Sequence, residues 1–179
     1  ERYTLYKIMV ILIAGDTHTG KTLLAQKLLE KYQYPYLSID HLKMGLIRSG
    51  QCKLSTESSD SELTDYLWPI IKEIIKNCIE NSQNIIIEGC YIPFGWEKDF
   101  TEEYTQQMKY ICLIFSQEYI KHNFQDILKY ESIIEKRLST DTPFEEMSKT
   151  NRHNLEQCIS RGYNYILIDK GYQVNVDNI

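Results

Sequence analysis

The sequence predicts an α/β fold: a five-stranded parallel sheet with helices on both faces. Three observations carry this. Short apolar runs that fit buried strands alternate with longer stretches of helical period along all 179 residues. The first run, Ile8 to Ala14, passes through a glycine-bearing octapeptide straight into a helical pattern. A second run, Asn84-Ile85-Ile86-Ile87-Glu88-Gly89, stacks β-branched residues and ends on a carboxylate and a glycine. Helical crossovers between parallel strands are right-handed, which covers both faces of the sheet.

The elements follow in order. Ile8 to Ala14 is short and wholly apolar, as a strand buried on both faces requires, and Lys21 to Leu29 switches to helical spacing. Tyr34 to Ile39 reads as a second strand and Asp40 to Ile47 as the opening of a second helix. Gln51 to Asp60 is polar and serine-rich, hence a loop. Ser61 to Asn81 then carries a long helical period through Leu63, Leu67, Ile70, Ile71, Ile74, Ile75, Cys78 and Ile79, with Pro69 as a site for a kink. After the third strand at 84–89, Tyr91 to Gln107 mixes proline, aromatic and charged residues and reads as a loop with a short helix. Tyr110 to Phe115 is the fourth strand. Two charged helical stretches, Gln117 to Arg137 and Glu145 to Arg161, flank a breaker segment, Ser139 to Pro143. Tyr163 to Asp169 is the last strand, followed by a polar tail. There is no internal repeat and no low-complexity tract.

Length and composition set limits. A chain of this size fits one domain, 1–179, with a real core. A formal net charge of -5 without a basic stretch argues against a nucleic-acid partner and leaves small molecules as the expected ligands. No apolar run approaches a membrane span, and the N-terminus lacks the segments of a secretory signal, so a cytoplasmic location is expected. Five widely spaced cysteines without a C-x-x-C pair point to free thiols rather than disulfides or a zinc site.

Gly15-Asp16-Thr17-His18-Thr19-Gly20-Lys21-Thr22 matches the pattern G-x-x-x-x-G-K-[ST] in full. Its glycines let successive backbone N–H groups curl around phosphates, Lys21 reaches the terminal phosphates, and the Thr22 hydroxyl is placed for Mg2+. The octapeptide therefore predicts a nucleoside triphosphate site, with ATP and Mg2+ as the expected cofactors. The helical period beginning at Lys21 supplies the strand–loop–helix context that the motif needs.

These residues resemble a family, the small P-loop kinases: adenylate-kinase-like nucleoside monophosphate kinases, shikimate and gluconate kinases, antibiotic phosphotransferases and zeta-type toxin kinases. The resemblance covers nearly the whole chain. It rests on the phosphate loop, on Leu37-Ser38-Ile39-Asp40-His41-Leu42-Lys43, on Ile85 to Gly89, and on the charged helical pair before the last strand. It implies a P-loop NTPase three-layer fold with strand order 2-3-1-4-5, ATP on the phosphate loop, an acceptor near the second helix, and a lid-like helical segment at 116–161. It further implies that Asp40 orients or deprotonates an acceptor alcohol and that Glu88 joins Thr22 at magnesium, although Asp is the commoner residue there. In the lid, Arg137 and Arg152, with Arg161 behind them, clamp the transferring phosphate. Asp40 also suits a helix N-cap, as does Ser38, and a strand-end Glu88 also suits plain solvation. Tyr91, Phe94 and Trp96 fit either an acceptor wall or the core, and His18 fits loop packing.

Departures from the family pattern narrow the acceptor. Nucleoside monophosphate kinases carry arginine where this chain has Lys43, and another arginine follows their third-strand motif. Here Glu88-Gly89-Cys90-Tyr91-Ile92-Pro93-Phe94 has none. A lysine is a point charge and cannot replace the planar fork that grips a phosphate. The expected activity is thus transfer of the ATP γ-phosphate to a hydroxyl of a small molecule. Alternatives within the class are a nucleoside monophosphate kinase and a zeta-type toxin acting on a sugar nucleotide. A non-catalytic nucleotide switch is the alternative outside it, and the chain lacks the N-K-x-D motif of guanine binders.

Overall fold

Five strands assemble into one all-parallel sheet of order β2-β3-β1-β4-β5 in the computed structural model, which describes residues 7–130 and 143–179. The strands are β1 (Val10–Gly15), β2 (Tyr36–Ser38), β3 (Ile85–Glu88), β4 (Met108–Phe115) and β5 (Tyr165–Ile168). The helices are α1 (Lys21–Tyr32), α2 (Ile39–Arg48), α3 (Asp60–Glu80), α4 (Glu102–Thr105), α5 (Gln117–Tyr130) and α6 (Phe144–Arg161). The observed strand order is the one that the family resemblance implies.

Strand alternation sends side chains to opposite faces. Val10, Leu12 and Ala14 of β1 join Ile87, Tyr110, Cys112 and Ile114 in a core under α3, whose Leu63, Leu67, Trp68, Ile71, Ile75 and Ile79 complete it. Ile11 and Ile13 face the other way, with Ile86, Ile111 and Leu113, onto Leu24, Ala25 and Leu28 of α1. A smaller cluster of Phe115, Ile120, Ile127, Met147 and Ile168 binds α5 and α6 to the β4–β5 side. Every residue of β1 is buried, which explains its unbroken apolar run.

Several elements differ from the sequence expectation in their bounds. β4 starts at Met108, two residues early, because Met9 and Val10 donate their amides to Gln107 O and hold the chain beside β1 ahead of the apolar run. Pro69 lies inside α3, which continues through it from Asp60 to Glu80. Ser59 starts that helix with a capping box to Glu62, so its first turn does not depend on apolar packing. The residues after β5 are not a loose polar tail. Val174 and Val176 pack against α1's core, and Lys31 pairs with Asp177 at 2.8 Å. Among the described residues no helix is long and apolar enough to cross a membrane.

Candidate active site

The octapeptide connects the carboxyl end of β1 to the first turn of α1, at the centre of the sheet. Its two glycines are there for different reasons. Gly15 adopts φ 140° with β4 so close that a Cβ would lie 2.5 Å from Leu113 O, and Gly20 adopts a left-handed φ of 84° as the N-cap of α1. His18 also has a left-handed φ, 65°, which makes the loop a place of backbone strain. Gly20 offers no capping side chain and the first turn of α1 holds no acidic residue, so no side chain of the helix itself offsets the partial positive charge of that end. This is the arrangement that suits a polyphosphate.

Within the loop, Asp16 is the hub. Its carbonyl accepts the Thr19 hydroxyl at 2.8 Å and the Lys21 ammonium at 2.6 Å, and its Oδ1 accepts the Thr17 amide at 2.8 Å. Burial raises the Asp16 pKa to about 6 against the pull of Lys21 and the Thr17 amide. Lys21 is itself only 6% exposed. Burial works against its charge, but Cys90, Glu88, Asp16 and Asp40 around it leave its pKa raised.

Segments from elsewhere in the chain meet the phosphate loop. Thr22 Oγ1, in the first turn of α1, donates to Glu88 Oε1 at 3.1 Å. Glu88, the last residue of β3, is 2% exposed, and burial pushes its pKa up while Lys21 and the Ser38 and Thr22 hydroxyls oppose the rise. The two side chains thus offer hard oxygen atoms at one point. Among the described residues no cluster of three or more His, Cys, Asp or Glu is placed to hold a metal. Two protein oxygens beside a phosphate site fit magnesium, which keeps most of its shell as phosphate oxygen and water.

Asp40 stands in the first turn of α2, whose N-cap is Ser38 without a side-chain cap bond. Lys43, one turn on, donates to Asp40 Oδ1 at 2.5 Å and to the Tyr91 hydroxyl at 2.9 Å. Lys43 is therefore committed to aiming and compensating the carboxylate. Tyr91 and Trp96 are both buried, Tyr91 with its hydroxyl on Lys43 and Trp96 stacked on Tyr110 in the core. Phe94 is half-buried, stacked on Tyr163 and edge-on to His153. Arg48 is exposed.

Of the arginines expected in a lid, Arg137 lies outside the described residues. Arg152 is exposed on α6 and donates to Gln117 Oε1 at 3.2 Å, while Arg161 donates to Gln157 Oε1 at 3.0 Å. Two residues that sequence reasoning passed over touch the phosphate loop. Tyr172, in the segment after β5, donates its hydroxyl to Thr19 O at 3.0 Å. Asn151 of α6 donates to Asp16 Oδ2 at 2.9 Å. Asn151 had a visible signal: Met147, Asn151, Asn154 and Cys158 form the buried face of α6, and asparagine is a poor choice for a buried helix interior unless it has a partner.

No protein-family model matches the chain, and no curated sequence matches it. Solved structures do. A "putative kinase" from Chloroflexus aurantiacus superposes with a TM-score of 0.58 at 14% identity, covering 98% of this chain and 95% of that one. A gluconokinase from Sinorhizobium meliloti gives a TM-score of 0.52 at 12% identity over 94% of this chain and 86% of its own. Shikimate kinase from Bacteroides thetaiotaomicron gives 0.51 at 14% identity, covering 90% and 86%. At such identities the likeness establishes the fold, and that fold is the one shared by the small P-loop kinases.

Proposed function

We propose that the chain is an ATP- and Mg2+-dependent kinase that transfers the γ-phosphate to a hydroxyl of a small molecule. The observation that carries this reading is the convergence of Lys21 and Asp40. They come from different loops, after β1 and β2, yet Asp40 lies near enough to add to the field that holds Lys21 charged. A phosphate-loop cation with a carboxylate from the neighbouring β2–α2 junction beside it is what phosphoryl transfer to an alcohol requires.

In this reading the loop Gly15 to Thr22 and the N-terminus of α1 bind the phosphates, and Lys21 leaves Asp16 O to meet the terminal ones. Thr22 and Glu88 would hold magnesium, which when bound would supply neutralisation of the charge on the phosphates. Asp40, aimed by Lys43, orients the acceptor hydroxyl and takes its proton. The acceptor oxygen bonds to the γ-phosphorus as the bond from that phosphorus to the bridging oxygen breaks, and ADP leaves with the electron pair. Arg152, with Arg137, serves the phosphate from the lid-like segment 116–161, and residues 1–179 act as one kinase domain. The fold of gluconokinase and shikimate kinase supports an alcohol acceptor by analogy. So does the commitment of Lys43 to Asp40 and Tyr91, which leaves it poorly placed to grip a nucleotide's phosphate.

An ADP-release screen against sugars, hydroxy acids, aminoglycoside-like alcohols and nucleoside monophosphates tests this. Turnover that depends on an alcohol supports it. A rate with AMP, CMP or UMP far above that with any alcohol overturns the acceptor class, and nucleotide binding with no acceptor-dependent turnover overturns the activity.

A further inference from the structure

Asn151 sits in the middle of α6 and is fully buried, at 0% exposure, with its Oδ1 and both Nδ2 hydrogens engaged in hydrogen bonds. Its Oδ1 accepts the Phe115 amide at 2.8 Å, at the carboxyl end of β4. Its Nδ2 donates to Met147 O at 2.9 Å and to Asp16 Oδ2 at 2.9 Å. The orientation of this amide is fixed by chemistry, because a backbone N–H can only donate and a backbone carbonyl can only accept. Oδ1 must face Phe115 and Nδ2 must face Met147, so Asn151 can present only a donor to Asp16.

Asp16 in turn spends its other oxygen on the Thr17 amide and its carbonyl on Thr19 and Lys21. One buried amide on α6 therefore holds the residue on which the loop's internal bonds converge. We propose that Asn151 is a positioning residue that sets the phosphate loop through the Asp16 carboxylate and so couples the placement of α6 to nucleotide binding. This rests on the reading of the octapeptide as a triphosphate site. It places a functional residue on the lid-side helix where the family pattern looks only for arginines.

The contact selects the ionised form of Asp16, since both carboxylate oxygens must accept. Burial pushes the Asp16 pKa to about 6, and the charged groups around it are Lys21 of α1, Asp60 at the start of α3 and Glu146 in the first turn of α6. Protonating Asp16 weakens acceptance at one of its oxygens, so the coupling is strong above about pH 6 and falls below it.

A double-mutant cycle in Mg-ATP affinity, measured by calorimetry at pH 8 and pH 5, tests this with wild type, Asp16→Asn, Asn151→Asp and the double variant. Asn151→Asp sets two carboxylates against each other, and the double variant restores a donor–acceptor pair in the opposite sense. The cycle cancels whatever charge removal at position 16 does alone. The expected coupling is about tenfold at pH 8 and smaller at pH 5. Coupling within about twofold of unity at pH 8, or equal coupling at both pH values, overturns the inference while leaving the nucleotide site intact. A wild type that takes no Mg-ATP overturns the site reading and the inference together. Should Asn151→Asp not fold, Asn151→Ser replaces it in the cycle with the same criterion of non-additivity at pH 8.

Discussion

Thr22 Oγ1 donates to Glu88 Oε1 across 3.1 Å, joining the first turn of α1 to the last residue of β3. β1, which leads through the octapeptide into α1, is the direct neighbour of β3, with Ile13 in register with Glu88, so the sheet brings the two residues together. This contact supplies the first prediction. Glu88→Gln keeps the shape and loses the charge; it should lower turnover and raise the Mg2+ concentration for half-maximal rate, with metal-free ATP affinity little changed. Steady-state kinetics over a magnesium series decides it, and an unchanged magnesium dependence would reduce Glu88 to a buried strand end.

Lys21 rests on Asp16 O at 2.6 Å in a pocket where four neighbours keep it charged. Removing it takes away the cation proposed to meet the phosphates and leaves the carboxylates of Glu88, Asp16 and Asp40 uncompensated. Lys21→Ala should weaken Mg-ATP binding by a factor of about 100 while the protein stays folded. Calorimetry and circular dichroism together check this, and wild-type affinity in a folded variant would remove the octapeptide from the reading.

Asp16 gives a pH prediction with a definite sign. Its folded pKa, about 6, lies above the ordinary 3.8, because burial outweighs Lys21. A carboxylate shifted this way binds its proton more tightly in the folded state, so its contribution to stability is fully present below about pH 4 and is lost as pH rises through about 6. The full effect is at most about 3 kcal/mol. Asp16→Asn should therefore gain in melting temperature relative to wild type between pH 4 and pH 7. A difference between the two proteins that is flat across that range would contradict the assignment.

Gly20 makes a steric prediction. A Cβ there would lie 1.8 Å from the Tyr172 hydroxyl oxygen, on a backbone with φ 84°. Gly20→Ala should therefore cost nucleotide affinity for two reasons, the clash and the left-handed strain, the second worth about 1–3 kcal/mol. Tyr172→Ala removes the clash, together with the hydroxyl's bond to Thr19 O, and leaves the strain. The paired variant should recover part of the affinity lost in Gly20→Ala, as read by Mg-ATP titration. Full recovery would mean that the backbone conformation is immaterial, and no recovery that Tyr172 does not cover Gly20.

The sheet was legible in the sequence where burial is two-sided. Val10 to Ala14 and Ile85 to Ile87 have no exposed face, so their composition alone declares them strands. The phosphate loop was legible because backbone conformation demands glycine at Gly15 and Gly20 whatever lies around them. Asn151 and Tyr172 escaped because their meaning is a partner far along the chain: Asp16 is 135 residues from Asn151, and Thr19 is 153 from Tyr172. Local patterning carries no record of such pairs. Lys43 was half legible, since its one-turn spacing from Asp40 is visible in the sequence but its second partner, Tyr91, follows a different strand.

The last prediction concerns that trio. Lys43 fixes one oxygen of Asp40 and is itself held by Tyr91, so the carboxylate is aimed by a pair of contacts from two loops. Asp40→Asn keeps the shape, and Ser38 remains the N-cap of α2. It should retain ATP binding and most of the thermal stability while transfer to the acceptor falls about 10²- to 10⁴-fold, the range for losing a base or orienting group. Tyr91→Phe removes only the outer support of Lys43. If Asp40 acts through its aim, Tyr91→Phe should lower kcat by a smaller factor, about tenfold or less, with ATP affinity unchanged. If instead Asp40→Asn turns over the true acceptor at the wild-type rate, the Asp40–Lys43 pair is a helix-surface ion pair, and the acceptor hydroxyl must be oriented by another group in the cleft.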